Sequence, residues 1–222
     1  SSQASVMTVL LVVFTLAVLL LEVQGQSTSS KILAALGVLV AATSVLRFIE
    51  VAIPGPGGFS PIFVPIIIAG YVFGPRFGFL MGTLTLLVSG LLTGGIGPWL
   101  PYQMFAAGWV GLTAGLLPDL DKPAWQLAML VIFAVVWGFL YGFIMNLFFW
   151  PFMNPTAVAD VTSPDGLQDT VSGYGVFYLT TSLIWDFTRA TGNAVLMLVL
   201  GLPSVNALQR FHDKFQFRVI AG

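Results

Sequence analysis

The sequence predicts an all-α polytopic membrane protein, and three observations carry that reading. Only 8% of the residues are charged while 57% are hydrophobic, against roughly a quarter charged in soluble domains. With a mean hydropathy of +0.96, the apolar residues gather into long runs, not the ~10-residue alternating segments of a β-barrel. Threading those runs in order also sorts Lys31, Arg76, Lys122 and the C-terminal basic residues to a single side. The net charge of −1 and the lack of a basic stripe give no footing for nucleic acid. With zero cysteines, disulfides, thiolate nucleophiles and thiolate metal sites are excluded.

Taken in order, Val6 to Leu21 is about long enough to cross a ~30 Å hydrocarbon core. No Lys or Arg precedes it and no small-x-small cleavage site follows, so it reads as a retained span, not a signal peptide. Residues 1–30 thus form an extra N-terminal transmembrane helix and link. Lys31 opens a second span, Ile32 to Ile49, with Ala34, Gly37 and Ala41 on one face and Arg47 and Glu50 at its end. Val51 to Ser60 alternates prolines and glycines and cannot be regular helix. Pro61 to Phe73 is a short third span. Gly74, Pro75 and Arg76 turn the chain into the fourth, Phe77 to Thr93.

Gly94 to Pro118 organises the rest. It opens as a Gly/Pro-broken lip carrying Trp99, Tyr102 and Gln103. It continues as an apolar helix whose small residues, Ala107, Gly111, Ala114 and Gly115, let neighbours touch its backbone. Irregular backbone at membrane depth is tolerated where it is buried in protein or lines a wet cavity, so this stretch marks a ligand mouth. Ala124 to Phe149 is the sixth span, ending in aromatics with Asn146 and Trp150 one turn apart. Pro151 to Gly175 is an acidic loop without Lys or Arg, and Val176 to Leu200 is the seventh span. A basic tail, 203–222, carries Arg210, Lys214 and Arg218. The positive-inside rule then puts the N-terminus outside, the C-terminus in the cytoplasm and the irregular loops outward, in a plasma-membrane protein.

Asp186 and Arg189 fall near mid-bilayer in the last span, where each charge alone would cost roughly 2.5–3.5 kcal/mol. Three apart, they share a face and can neutralise each other. They read either as a structural pair or as the polar floor of a ligand pocket, together with Thr181, Trp185 and Asn193. Arg47 and Glu50 have the same spacing, so Arg47 either pairs locally or reaches a ligand's acidic group. Phe59, Trp99, Tyr102, Gln103, Asn146 and Trp150 collect on the outward side, as interfacial anchors or as walls for a flat or ring-shaped ligand. The enzyme reading has little to stand on. His212 is the sole histidine and lies in the basic tail. Gly94-Gly95-Ile96-Gly97 precedes a span and does not follow a strand, so it is no phosphate cradle, and no metal or cofactor site is expected.

The order of spans, the stretch KILAALGVLVAATSVLRFIEVAIPGPGGFSPIFVPIIIAGYVFGPRFGFLMG and the segment GPWLPYQMFAAGWVGLTAGLLP resemble the substrate-binding membrane subunits (S-components) of energy-coupling factor transporters, over about Lys31 to Leu202. That resemblance implies a six-helix bundle at 31–202, ligand capture near the outer face, and docking on a transmembrane coupling subunit driven by two ATPases. The family's Ala-xxx-Ala docking pattern corresponds here to Gly37-xxx-Ala41, with Ala34 on the same face. The resemblance is strongest to the group assigned to cobalamin or related corrinoids, and the histidine-bearing N-terminus of nickel or cobalt S-components is absent. Two other classes compete: an intramembrane enzyme acting on a lipid or prenyl substrate, which would need more carboxylates than Asp186, and a ligand-free assembly subunit.

Overall fold

The computed structural model describes residues 30–53, 57–153 and 166–215. The expected first span, Val6 to Leu21, lies outside the described residues, as do Pro54, Pro56, Asp160, Asp165 and Arg218.

The described chain is helical throughout its spans. Helix α1 is Ser30–Ala52, α2 Phe63–Phe73, α3 Pro75–Thr93, α4 Leu100–Ala114 and α5 Pro123–Met153. Then α6, Gly166–Phe177, runs through a π turn at Tyr178–Ser182 into α7, Leu183–Phe215. By length and apolarity α1, α3, α5 and the α6–α7 rod can each cross a membrane, while α2 is a shorter apolar helix.

The turn between α2 and α3 is set by Gly74, whose φ of 92° suits a residue without a side chain, followed by Pro75 in the first helical turn. Gly94 ends α3 in the left-handed region. α2 occupies the centre: Phe63, Val64, Ile66, Ile67, Ile68 and Ala69 are all buried, and it packs on α3, α4 and α7. Around it α1 packs on α3, α3 on α4, α4 on α5 and α5 on α7.

The tightest seam joins α2, α3 and α4. A Cβ at Gly70 would overlap the Gly111 carbonyl, one at Gly82 the Ala107 carbonyl, and one at Gly111 the Gly78 carbonyl. The small-residue face read from the sequence therefore does bring backbones into contact. A Trp137 Nε1 donation to Thr113 Oγ1 (3.0 Å) ties α5 to α4, and a Ser44 Oγ donation to the Thr85 carbonyl (3.3 Å) ties α1 to α3.

Lys31 lines one groove with Phe73, Leu208 and Phe211, and Phe73 meets the ring of His212 edge-on. Tyr71 donates to Asp119 (3.0 Å) and accepts from Gln126 (2.9 Å) at the same end. This is the basic end of the bundle; the opposite one is the loop end.

Three expectations change. Helix α4 begins at Leu100 with Pro101 in its first turn, so Tyr102 and Gln103 ride on a helix and not on a broken lip. The acidic loop is helical from Gly166 onward, despite Gly173 and Gly175. The last helix passes through Pro203 and reaches Phe215, crossing the expected 202/203 boundary. An internal proline costs about 3 kcal/mol. Here Val205 is fully buried beyond it and Phe211 stacks edge-on to Phe73, which keeps the helix packed.

Candidate ligand site

The polar residues of α7 meet a stripe of small residues on α5. Ala134, Gly138 and Gly142 recur every four residues, and a Cβ on Gly138 or Gly142 would overlap Ala190 or the Asp186 carboxylate. Into that notch α7 sets Asp186, 1% exposed, and Asn193, fully buried. Arg189 Nη1 donates to Asp186 Oδ1 (2.5 Å) and to the Gly138 carbonyl (3.1 Å). One turn deeper Asn193 Nδ2 donates to the Ala134 carbonyl (3.2 Å). The pair thus neutralises itself and also fastens two helices. The Tyr178 hydroxyl also faces the Asp186 carboxylate, whereas Asn193 Oδ1 is buried and accepts no hydrogen bond among the described residues. Unsatisfied acceptors at this depth are costly and mark places to look for a ligand.

A second charged pair approaches from α1. Arg47 Nη1 donates to Glu50 Oε1 (2.6 Å) and to Ser60 Oγ (3.3 Å), and Ser60 Oγ donates to Glu50 Oε2 (2.6 Å). Arg47 therefore pairs locally, with a serine from the following loop completing the triad. Tyr141 of α5 lies beside Arg189. Its ring lies 5.4 Å from the Arg189 guanidinium carbon and packs edge-on to Phe63 at 4.8 Å. α1, the 57–60 loop, α5 and α7 thus converge on one polar cluster with walls from the apolar core. Few convergent polar groups in an apolar setting are what small-molecule sites present.

The remaining residues are placed less centrally. The Phe59 ring packs where a Gly192 side chain would be, and the exposed Trp185 covers Gly57, so both hold the loop down on α7. Thr181 donates to the carbonyl of Phe177 in its own helix (2.6 Å). Trp99 and Tyr102 are exposed, and Tyr102 stacks on Phe148 of α5 at 4.3 Å. Gln103 is half-buried next to Tyr102 on α4. Asn146 is half-buried, with a buried Nδ2 that donates to nothing among the described residues. The Trp150 side chain lies outside the described residues.

On α1, Ala34, Gly37 and Ala41 are exposed, and a Cβ at Gly37 would meet nothing within 4 Å among the described residues. Beside this face an apolar groove of about 400 Å³ runs between Ala34, Ala35 and Val38 of α1 and Leu208 and Phe211 of α7.

Sequence reasoning missed Ser60 and Tyr141, whose roles depend on chain segments distant in sequence. It also missed the Ala134/Gly138/Gly142 stripe, which its four-residue spacing within an aromatic-rich span could have revealed.

A family model described as the ECF transporter, substrate-specific component, matches residues 31–201, well over half of the chain. No curated protein and no solved structure matches.

Proposed function

This chain belongs to the substrate-specific components of energy-coupling factor transporters, and on that premise we propose that it captures a vitamin-like ligand at the loop end. It then passes the ligand inward when a coupling subunit grips α1. The family consists of small-molecule transport components of the membrane and not of enzymes. In this reading the loop end faces outward, with the N-terminus outside and the C-terminus cytoplasmic. The docking face is Ala34, Gly37 and Ala41, and the ligand is a cobalamin-type corrinoid. Coupling and ATPase subunits supply the driving force. The intramembrane-enzyme alternative gains nothing, since Asp186 is already held by Arg189.

One observation carries the proposal: among the described residues nothing covers the α1 small-residue face at Gly37, while the corresponding faces of α4 and α5 are filled by neighbouring backbone and side chains. A smooth helix face left open at membrane depth suits close approach by another helix. Uptake measured in cells carrying the coupling subunits, beside ligand binding by purified protein, tests it. Gly37→Leu and Ala41→Leu should abolish uptake and leave binding intact. Normal uptake by both variants would move the docking face elsewhere. A thermal-shift panel of vitamins including cobalamin tests the ligand class, and a flat panel would count against capture.

A further inference from the structure

A furrow runs along the bundle between α1 and α7. Its basic half is the groove of Ala35, Val38 and Leu39 against Leu208 and Phe211, with Phe73 beneath. Its loop half is a second apolar groove of about 400 Å³, walled by Leu39 and Leu46 of α1 and by Leu196, Leu200 and Ala207 of α7. Leu39 and Leu208 line both, so the two are continuous. The floor is α2, through Val64, Pro65, Ile68 and Phe73.

The furrow follows from the packing order. α1 packs on α3, whereas α7 packs on α2 and α5, so the two walls stand on either side of α2. Leu196, Leu200, Ala207 and Phe211 recur at helical spacing, which puts one apolar face of α7 toward the gap. Leu46, Leu200 and Phe211 are exposed there.

Length, chemistry and reach decide what fills it. Lys31 to Leu46 and Leu196 to Phe211 each cover about 22 Å of helix. The run Val6 to Leu21 carries no charge, has only Thr8 and Thr15 as polar residues, and would be about 24 Å long as a helix. Residues 22–29 join it to Ser30, where α1 starts at the basic end. A link that short suits antiparallel neighbours and holds the run beside α1 at high local concentration. A second copy or a separate partner brings no such tether.

The side of α1 matters as well. At about 100° per residue, Ala35, Leu39 and Leu46 fall within about 40° of one another, and Gly37 and Ala41 lie roughly opposite. A helix in the furrow therefore leaves the Gly37 side uncovered.

We propose that Val6 to Leu21 lies in this furrow, antiparallel to α1, as a seventh helix of the bundle and not a loose anchor. It closes the α1–α7 side and leaves Gly37 and Ala41 for a coupling subunit. This goes beyond the capture reading and does not depend on it.

The chain has no cysteine, so a pair introduced for the test holds the sole thiols. Ala207→Cys sets one in the α7 wall, and the other moves one position at a time from Leu10 to Leu20. The purified full chain, with an N-terminal tag and a protease site in the 22–29 link, is oxidised mildly, cut and run on a gel. A bond within one chain keeps the tag on the main fragment until reductant is added. Bond formation should peak every three or four positions. At the peaks it should exceed by about tenfold the yield with Ile132→Cys, on the exposed side of α5. Yields in folded protein that are absent, aperiodic or no greater than with Ile132→Cys would place the run elsewhere and overturn the inference. Bonds found only between chains would give the furrow to a second copy and overturn it too. Where Ala207→Cys fails to fold, Leu39→Cys on the opposite wall replaces it and is read in the same way. Either result leaves the uptake and binding tests of Gly37→Leu standing.

Discussion

Two stripes of small residues in this bundle look alike in sequence and meet opposite fates. On α4, Ala107, Gly108 and Gly111 are fully enclosed, pressed against Gly70, Gly78, Gly82 and Thr83 until no side chain would fit. On α1, Ala34, Gly37 and Ala41 recur at similar spacing and touch no neighbour at Gly37 among the described residues. Small-residue spacing therefore encodes smoothness, not burial. The difference lies in what faces each stripe. α2 and α3 present glycines of their own to α4, so backbone meets backbone; no described helix does so for α1. The first stripe has completed its packing within the described helices, and the second has no described helix against it at Gly37.

The sharpest way to break this comparison is Gly111→Leu. A side chain there meets the Gly78 carbonyl, and backbone cannot step aside as a flexible side chain can. Overpacking of ordinary cores costs about 1–3 kcal/mol, and a backbone clash in the central seam should exceed that. The expected outcome is loss of monodisperse protein on detergent size-exclusion chromatography. A well-folded Gly111→Leu would mean that the α3–α4 seam is not as described.

Next in size is Arg189→Ala, which leaves Asp186 buried without its partner. Breaking a buried pair from one side costs about 3–5 kcal/mol, so folding yield should fall. The double variant Asp186→Ala/Arg189→Ala removes the orphaned charge and should recover much of the loss. A double-variant thermal unfolding cycle measures the coupling. Additive losses would show that the two residues act separately.

Smaller again is Asn193→Ala, which deletes the bond to the Ala134 carbonyl. Interhelical polar contacts in membranes average about 0.6 kcal/mol, and Asn193 Oδ1 is unsatisfied already. A shift of that order in unfolding free energy is expected. A loss of several kcal/mol would imply a second role for the amide.

What the sequence disclosed follows the same division. Spans were legible because membrane burial writes itself as uninterrupted apolar runs, as in α1 and α3. The α4 stripe was legible because Ala107, Gly111 and Ala114 are spaced for one face. Local charge pairing was legible as well, since Arg47 with Glu50 and Asp186 with Arg189 are three residues apart on one helix. The way Ser60 and Phe59 of one loop join the Arg47/Glu50 pair to α7 was not, because it depends on how α1, the loop and α7 pack and leaves no trace at short range. Nor was the helical stretch from Gly166, where three glycines and several hydroxyl residues imitate a loop, or the passage of α7 through Pro203. Nor did the sequence disclose what the aromatics touch: Phe59 and Trp185 hold the 57–60 loop on α7, while Trp99, just before α4, and Tyr102 on α4 are exposed.

The smallest expected effect is also the most discriminating. Gly37→Ala adds one methyl to a helix position with nothing within 4 Å among the described residues, so no described neighbour opposes the substitution. Alanine is favoured over glycine in a helix by up to about 1 kcal/mol, and the variant should unfold at the same temperature or slightly higher. At a docking face a methyl still permits close helix approach, as alanine does in small-xxx-small pairs, so uptake should persist where Gly37→Leu abolishes it. Uptake that survives Ala and fails with Leu, at equal stability, isolates the bulk of the side chain as the cause. Equal loss in both would instead make the backbone of Gly37 the thing a partner touches, and the α1 stripe would then demand as close an approach as the α4 stripe has already achieved.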